Sequence, residues 1–187
     1  MRGLSEISRK QRYFFCPKCG GNLLYKLVDD RERLVCKDCG YILYENPIVG
    51  AAAIVMDKGK LLLGRRAENA TYPGLWCIPC GYVEYDEDIC DAVVRECLEE
   101  TGLVVEPQGV FTVLSNFHNP ETHTVGVWFN TRVTGGRLRP GDDIDQVGFF
   151  ELDDVPPLAF ATDKEVIRLL KEKMEAKKEE QGCESHE

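Results

Sequence analysis

The 187-residue sequence predicts an α+β fold of mixed strands and helices, preceded by a small four-cysteine module. Three observations carry this expectation. Cys16-Pro17-Lys18-Cys19 and Cys36-Lys37-Asp38-Cys39 are two Cys-x-x-Cys pairs separated by sixteen residues. Runs rich in β-branched and aromatic residues recur from Ile48 to Glu151, divided by turn residues. Between Gly81 and Leu103, glycines, acids and one arginine keep a fixed spacing around a helix expected over Glu87 to Thr101.

The first element is the cysteine module, residues 13–45. Its spacing suits a four-cysteine zinc site. Gly20 and Gly40 follow the second cysteine of each pair, where a tight knuckle needs a permissive backbone. Leu23 to Val28 and Arg33 to Val35 read as short strands around an Asp29-Asp30-Arg31 turn, and Tyr41 to Tyr44 as a last strand. This is a zinc ribbon in which Cys16, Cys19, Cys36 and Cys39 close the coordination sphere, leaving a structural ion with no open position. Disulfides are the alternative. Nine cysteines without a secretory signal argue instead for a reducing, cytoplasmic setting. Residues 1–12 form a basic tail.

Asn46-Pro47 is the expected junction with a main domain of residues 46–173. Ile48 to Met56 reads as a buried strand, turned by Asp57-Lys58-Gly59 into Lys60 to Gly64, with Arg65-Arg66 at the strand end. Beyond the central helix, Val110 to Ser115, Thr124 to Val133 and Val147 to Glu151 read as strands. Gly135-Gly136 and Pro140-Gly141 break the chain between the last two. Thr162 and Glu165 have the spacing of a capping box, opening a helix to about Lys173 that packs through Val166, Ile167, Leu169 and Leu170. Residues 174–187 read as a charged tail.

The densest pattern starts at Gly81. Glu87 follows after five residues and Arg95-Glu96 after seven more; then come Glu99-Glu100, Gly102 and Leu103. On a helix Glu96, Glu99 and Glu100 fall at i, i+3 and i+4, so three carboxylates share one face. Like charges so placed repel, and magnesium or manganese, bound through carboxylate oxygen, is the natural compensating cation. A solvated acidic face would explain three glutamates alone, but not their register with the glycines and Arg95. Cys97 at the apolar position is a small hydrophobe, and Cys90, seven residues earlier, is expected to face the core with it. Cys77 and Cys80 form a third Cys-x-x-Cys with no partner pair and are expected to be packed residues.

This 23-residue run resembles the signature of the Nudix hydrolases, with Gly81, Glu87, Arg95, Glu96, Glu99, Glu100 and Gly102 at its invariant positions. The resemblance implies the Nudix α/β/α sandwich with a mixed sheet. It also implies metal-dependent hydrolysis of the pyrophosphate bond in a nucleoside diphosphate linked to another moiety, by water attack at phosphorus. By the same resemblance Glu96, Glu99 and Glu100 hold the catalytic magnesium or manganese, and Arg95 with Glu87 orients Glu96. The general base is either Glu96 or a loop acid, for which Glu121 and Asp142-Asp143 are candidates. A homodimer is the family's usual assembly.

A ribbon joined to this box resembles two groups. The NADH pyrophosphatases carry a Ser-Gln-Pro-Trp-Pro-Phe-Pro stretch after the box, where this chain reads Val113-Leu114-Ser115-Asn116-Phe117-His118-Asn119-Pro120. The other group comprises ribbon-bearing ADP-ribose and FAD pyrophosphatase-type proteins, which Tyr44-Glu45-Asn46-Pro47 and Leu158-Ala159-Phe160 resemble. Many of these have an acid at the position of Gln146 and an arginine at that of Gly148. The expected substrate is a small nucleotide such as ADP-ribose or FAD. Alternatives are an NADH/NAD-type or capped-RNA pyrophosphatase, or a non-catalytic Nudix-fold regulatory or RNA-binding protein. Arg65 and Arg66 are assigned to substrate phosphate, with a surface ion pair as the competing role. Phe117, Trp128 and Phe160 could stack on a base, Trp128 reading better as core, and His118 and His123 could meet phosphate.

Charge distribution bears on partners. Residues 13–45 carry five Lys/Arg and five Asp/Glu, so the ribbon lacks the basic excess that phosphate-backbone binding requires. The longest apolar run, Ile48 to Met56, is too short to span a bilayer, so no membrane partner is expected. Duplex DNA and unstructured RNA should therefore bind weakly. Titrating labelled RNA and DNA at about 0.15 M salt should give dissociation constants no tighter than about 1 μM. Salt-resistant submicromolar binding that depends on the ribbon would contradict the charge argument.

Overall fold

A computed structural model describes residues 11–117, 119 and 122–184, with side chains described through residue 176. The expectations for the tail before residue 11 and for His118 and Glu121 lie outside the described residues. The chain divides into two compact units between Asn46 and Pro47.

The first unit is a three-stranded antiparallel sheet of β1 (Leu23–Val28), β2 (Arg31–Cys36) and β3 (Ile42–Leu43), in that order. Asp29 and Asp30 form its tight turn with φ of 50° and 61°, the doubly positive geometry that matches the twist of two adjoining strands. Its core cluster holds Leu23 and Leu34 with Cys16 and Cys36, flanked by Tyr25 and Leu43, and Val35 is buried beside it in sequence. So little apolar burial leaves the module dependent on a further constraint.

The second unit runs β4 (Ile48–Asp57), β5 (Lys60–Arg66), β6 (Trp76–Cys77), β7 (Cys80–Tyr82), α1 (Ile89–Thr101), β8 (Leu103–Asn116), β9 (Thr124–Gly136), β10 (Ile144–Glu151) and α2 (Ala161–Glu184). The sheet order is β10-β5-β4-β9-β8, with β6 on β5 and β7 on β4. β4 and β9 run parallel while the other pairs are antiparallel, which makes the sheet mixed, as expected.

The sequence of β4 explains the layering. Ala51, Ala53 and Val55 point into one core, where Ala92, Val93 and Cys97 of α1 pack with Leu62 and Phe129. Ala52 and Ile54 point into the other, where Val166, Ile167 and Leu170 of α2 pack with Leu61, Leu63 and Trp128. Alternating side chains thus feed two faces, and an apolar run buried on both sides needs a helix on each. β4 and β5 pair only at Met56 with Leu61 and Asp57 with Lys60. Beyond that turn, β7 lines β4 and β6 lines β5, so the Cys77–Cys80 stretch enters the middle of the sheet.

Several boundaries differ from the sequence expectation. α1 starts at Ile89, because Asp88 is its N-cap and accepts the Cys90 N–H at 2.8 Å; Glu87 therefore stands outside the helix. Cys97 is buried but Cys90 is exposed, standing in the capped first turn rather than on the packed stripe. β6 and β7 are too short for periodicity to reveal, and β8 begins at Leu103 and accommodates Pro107 through irregular register. α2 begins at Ala161, so Thr162 lies inside it and no capping box forms; Glu165 instead binds Arg168 at 2.6 Å. The helix continues to Glu184 through a proline-free stretch rich in glutamate and lysine. Among the described residues no helix is long and apolar enough to cross a membrane.

α1 ends at Gly102, whose φ of 71° and N–H bond to the Leu98 carbonyl at 2.9 Å form a left-handed cap. The last carbonyls find partners outside the helix: Glu100, Thr101 and Gly102 accept from the N–H groups of Gly141, Arg139 and Arg137. That seam brings Asp142 and Asp143 to the glutamate end of α1. A Cβ on residue 102 would lie 2.4 Å from the Arg137 carbonyl oxygen. Gly102→Ala should cost about 2 kcal/mol or more, combining the left-handed penalty of about 1–2 kcal/mol with that clash. Urea unfolding checks it, and a loss below about 0.5 kcal/mol would contradict the seam's importance.

Candidate functional site

Arg95 organises the acids of the signature. Its Nε and Nη2 donate to Glu87 Oε1 and Oε2 at 2.7 and 2.8 Å, a two-pronged pair that reaches back across the helix start. Nη1 donates to Glu96 Oε1 at 2.6 Å and to Glu99 Oε2 at 3.1 Å, and Nη2 reaches the Tyr82 carbonyl at 3.0 Å. One guanidinium therefore ties together the loop acid, two helix acids and the end of β7. It holds Glu87 below the usual carboxylate range, chiefly by direct hydrogen bonding.

Gly81 and Cys80 receive the other carboxylates. A Cβ at Gly81 would overlap the Glu96 carboxyl carbon at 2.0 Å, so the missing side chain is the space Glu96 occupies. Glu100 is buried, at 2% exposure, and accepts the Cys80 N–H at 2.8 Å. Burial pushes both Glu96 and Glu100 above the usual range, Glu100 strongly, and neighbouring acids add to it: Glu99 and Asp142 act on Glu96, and Asp143 acts on Glu100. Asp143 Oδ1 is itself buried without a hydrogen-bond partner. The donor set is all carboxylate oxygen, its charges raise one another's proton affinity, and Glu96 and Glu99 already share one cationic group. Such a site fits a hard divalent cation.

The remaining predicted residues are distributed around this centre. Arg65 forms a two-pronged pair with Asp145 at 2.7 and 2.9 Å. Arg66 is nearly buried, donates to the Thr71 carbonyl and to Asp143, and lies 5.7 Å from the Phe160 ring. Both guanidinium groups are thus engaged within the chain. Phe117 is exposed at the end of β8, with its ring 5.0 Å from His123 in an edge arrangement. Trp128 is buried core. Gln146 and Gly148 stand on β10 opposite Arg65 and Leu63. Cys77 is buried, and its contact with Cys80 together with burial pushes the Cys80 thiol well up, as befits packed, unreactive thiols. Sequence reasoning missed the Cys80 N–H and a second buried acid, Asp163, which accepts the Ile78 N–H at 3.1 Å. A first-turn aspartate reads from sequence as a helix-dipole partner and carries no signal of burial.

In the ribbon, the sulfur atoms of Cys16, Cys19, Cys36 and Cys39 all lie within 4.8 Å of one another; among the described residues this is the group of potential ligands so gathered. Cys19 to Cys39, Cys19 to Cys36 and Cys16 to Cys39 measure 3.3, 3.5 and 3.8 Å. Zinc–sulfur bonds of about 2.3 Å in a tetrahedron place sulfurs about 3.8 Å apart, so the quartet fits zinc. The Cys39 N–H, pointing at the Cys36 sulfur at 3.5 Å, lowers that thiol, while contacts with the neighbouring cysteines push the Cys19 thiol up to about 12. Protein purified without chelator should contain about one zinc per chain, and Cys16→Ser or Cys39→Ser should lose it and unfold residues 13–45. Elemental analysis and hydrogen exchange check this; a zinc-free native ribbon would contradict it.

Residues 46–170 match the NUDIX domain family, and residues 15–45 match the Nudix N-terminal zinc ribbon. The chain is 38% identical over 125 residues to an ADP-ribose pyrophosphatase of Methanocaldococcus jannaschii, covering 66% of this chain and 73% of that one. It is 30% identical over 147 residues to an NAD-capped RNA hydrolase of Pseudomonas aeruginosa, covering 77% of this chain and only 50% of that protein. Among solved structures, a Nudix hydrolase from Nitrosomonas europaea superposes with a TM-score of 0.74 at 30% identity, covering 87% of this chain and 91% of that one. An ADP-ribose pyrophosphatase from Streptococcus suis gives 0.53 at 35% identity over 62% of this chain and 81% of its own. With both of its units matched, this chain belongs to the Nudix hydrolase family and carries that family's N-terminal zinc ribbon.

Proposed function

We propose that the chain hydrolyses the pyrophosphate bond of a nucleoside diphosphate joined to another moiety, with ADP-ribose or a similar small nucleotide as substrate. The observation that carries this reading is the intact acid set: Glu96 and Glu99 share the Arg95 guanidinium while Glu100 is held at its rear by the Cys80 N–H. Resemblance to ADP-ribose pyrophosphatases at 38% and 35% identity supports the substrate class.

In this reading Glu96, Glu99 and Glu100 hold magnesium or manganese. When bound, such an ion neutralises the diphosphate oxygens and lowers the pKa of water at phosphorus. Arg95 and Glu87 fix the Glu96 carboxylate, and Gly81 leaves the space it occupies. Either Glu96, fixed in direction by Arg95, or a loop acid takes a proton from the attacking water. Asp142, near Glu96 on the loop joined to the end of α1, is the alternative base. Arg65 and the exposed ring of Phe117 are available to a substrate that can displace their present partners. The four ribbon cysteines hold a structural zinc.

A second reading has one specific observation in its favour. The match to the NAD-capped RNA hydrolase spans 147 residues, longer than the 125 of the Nudix match alone. The balanced charge of residues 13–45 weighs against an RNA chain as the bound body.

The test is a panel of ADP-ribose, FAD, NADH and NAD-capped RNA with magnesium or manganese, following release of monophosphate. ADP-ribose should be cleaved fastest and only with added cation. Glu99→Gln should fold normally and lose roughly a thousandfold in turnover. Full turnover in chelator by folded protein, or a Gln variant as active as the parent at saturating metal, would overturn the assignment. Preference for capped RNA would move the second reading to first place.

A further inference from the structure

We infer that Asp163, on α2, is a positioning residue for Glu100: through the Cys77–Cys80 stretch it sets where the Glu100 carboxylate stands. The inference rests on the reading of Glu100 as a metal-holding acid.

Backbone accounting leads to it. Cys77 lies in β6 and pairs with Gly64 of β5. Of the next three residues, Pro79 has no N–H, which leaves only Ile78 and Cys80 as donors. Neither donates to another strand. Ile78 N–H goes to Asp163 Oδ2 at 3.1 Å and Cys80 N–H goes to Glu100 Oε2 at 2.8 Å. The Pro79 carbonyl accepts the Ala53 N–H at 2.9 Å, which joins the stretch to β4 in the sheet centre. Two buried carboxylates from different helices thus hold successive donors of one tetrapeptide.

The two acids come from opposite cores. Glu100 belongs to α1, which packs with Ala51, Ala53 and Val55. Asp163 opens α2, which packs with Ala52, Ile54 and Ile78. Asp163 is 1% exposed, and burial raises its carboxyl to about 7. A buried acid costs stability unless its hydrogen bond is needed, and a shorter apolar residue would fill the position with no such cost. Trp128 and Arg66 also act on this carboxylate; its bond to Ile78 holds that residue, and through Pro79 and Cys80 it fixes the direction of the N–H that Glu100 accepts. The Pro79 ring stiffens the link, so displacement at Ile78 passes to Cys80 rather than being absorbed. Outer-shell hydrogen bonds of this kind orient ligands and change metal affinity by about 10–100-fold when removed.

The test uses the full, zinc-loaded chain. Mn2+ binding is measured by the loss of the free-ion electron spin resonance signal, alongside kcat and KM for ADP-ribose. Asp163→Asn retains an oxygen acceptor for Ile78 and should stay within about threefold of the parent in Mn2+ affinity. Asp163→Ala should weaken Mn2+ by about tenfold or more and lower kcat with little change in KM. A residue serving stability alone would lower the unfolding midpoint in Asp163→Ala while folded protein kept its Mn2+ affinity, and that result would overturn the proposal. Asp163→Asn falling as far as Asp163→Ala would overturn it too, since the acceptor would then not matter. Should Asp163→Ala fail to fold, Asp163→Glu moves the acceptor without deleting it, and unchanged Mn2+ affinity there is equally fatal. Glu100→Gln separates the two readings. If it loses Mn2+ while the Asp163 variants keep it, only the positioning role fails; if it keeps Mn2+, the metal role of Glu100 fails and the positioning role falls with it.

Discussion

Glu100 accepts the Cys80 N–H from within the seam between α1 and the sheet, and the geometry of the candidate site follows from that bond. A carboxylate at this depth loses the water that would stabilise its charge, so it must be met by donors from the fold itself. The donor exists because β4 and β5 part after a two-pair turn, letting the stretch before β7 enter the sheet centre. Helix, split sheet and acid are therefore mutually dependent. The same seam explains why α1 gives its last carbonyls to residues 137–141 rather than to water, which brings Asp142 and Asp143 to the acid cluster.

Like charges gathered on one helix face would ordinarily weaken the helix, and the chain resolves this with a single guanidinium. Arg95 bonds Glu87, Glu96, Glu99 and a main-chain carbonyl at once, which a lysine could not do from one position. Because Glu87 lies before the N-cap, the network also joins the loop to the helix. Arg95 and Glu99 are partly exposed while Glu87 and Glu96 are mostly covered, and the network holds these carboxylates in fixed directions before a cation or substrate arrives.

The ribbon solves a different problem. Among the described residues its buried apolar set is Leu23, Leu34 and Val35 with two cysteines, and β3 has only two residues. A module of that size folds when a metal substitutes for the missing apolar burial. Sulfur atoms already gathered at near-tetrahedral separations leave the ion a structural task there, while the carboxylate site in the other unit offers oxygen donors suited to a hard, exchangeable cation. The two candidate sites thus differ in ligand type, thiol sulfur in one and carboxylate oxygen in the other.

Spacing and periodicity, both properties of the chain itself, determined a good deal by themselves. The four cysteines, the order of the long strands, the helix carrying Arg95, Glu96, Glu99 and Glu100, and the mixed α+β class were all legible, because local pattern encodes which residues share a face. The resemblance added the role of Glu87, which the structure places outside the helix yet against Arg95. Other features were decided only in three dimensions. Cys90 keeps the same helical phase as Cys97 but is exposed, since phase does not say how far the packed stripe extends. Thr162 and Glu165 have capping-box spacing but no box, since the helix already begins at Ala161 and leaves Thr162 inside it. β6 and β7 are two and three residues long and exist only because β4 and β5 separate. The burial of Asp163 and its bond to Ile78 join residues 85 positions apart. Contacts at that range depend on how two helices close over one sheet, and no local pattern of residues records it.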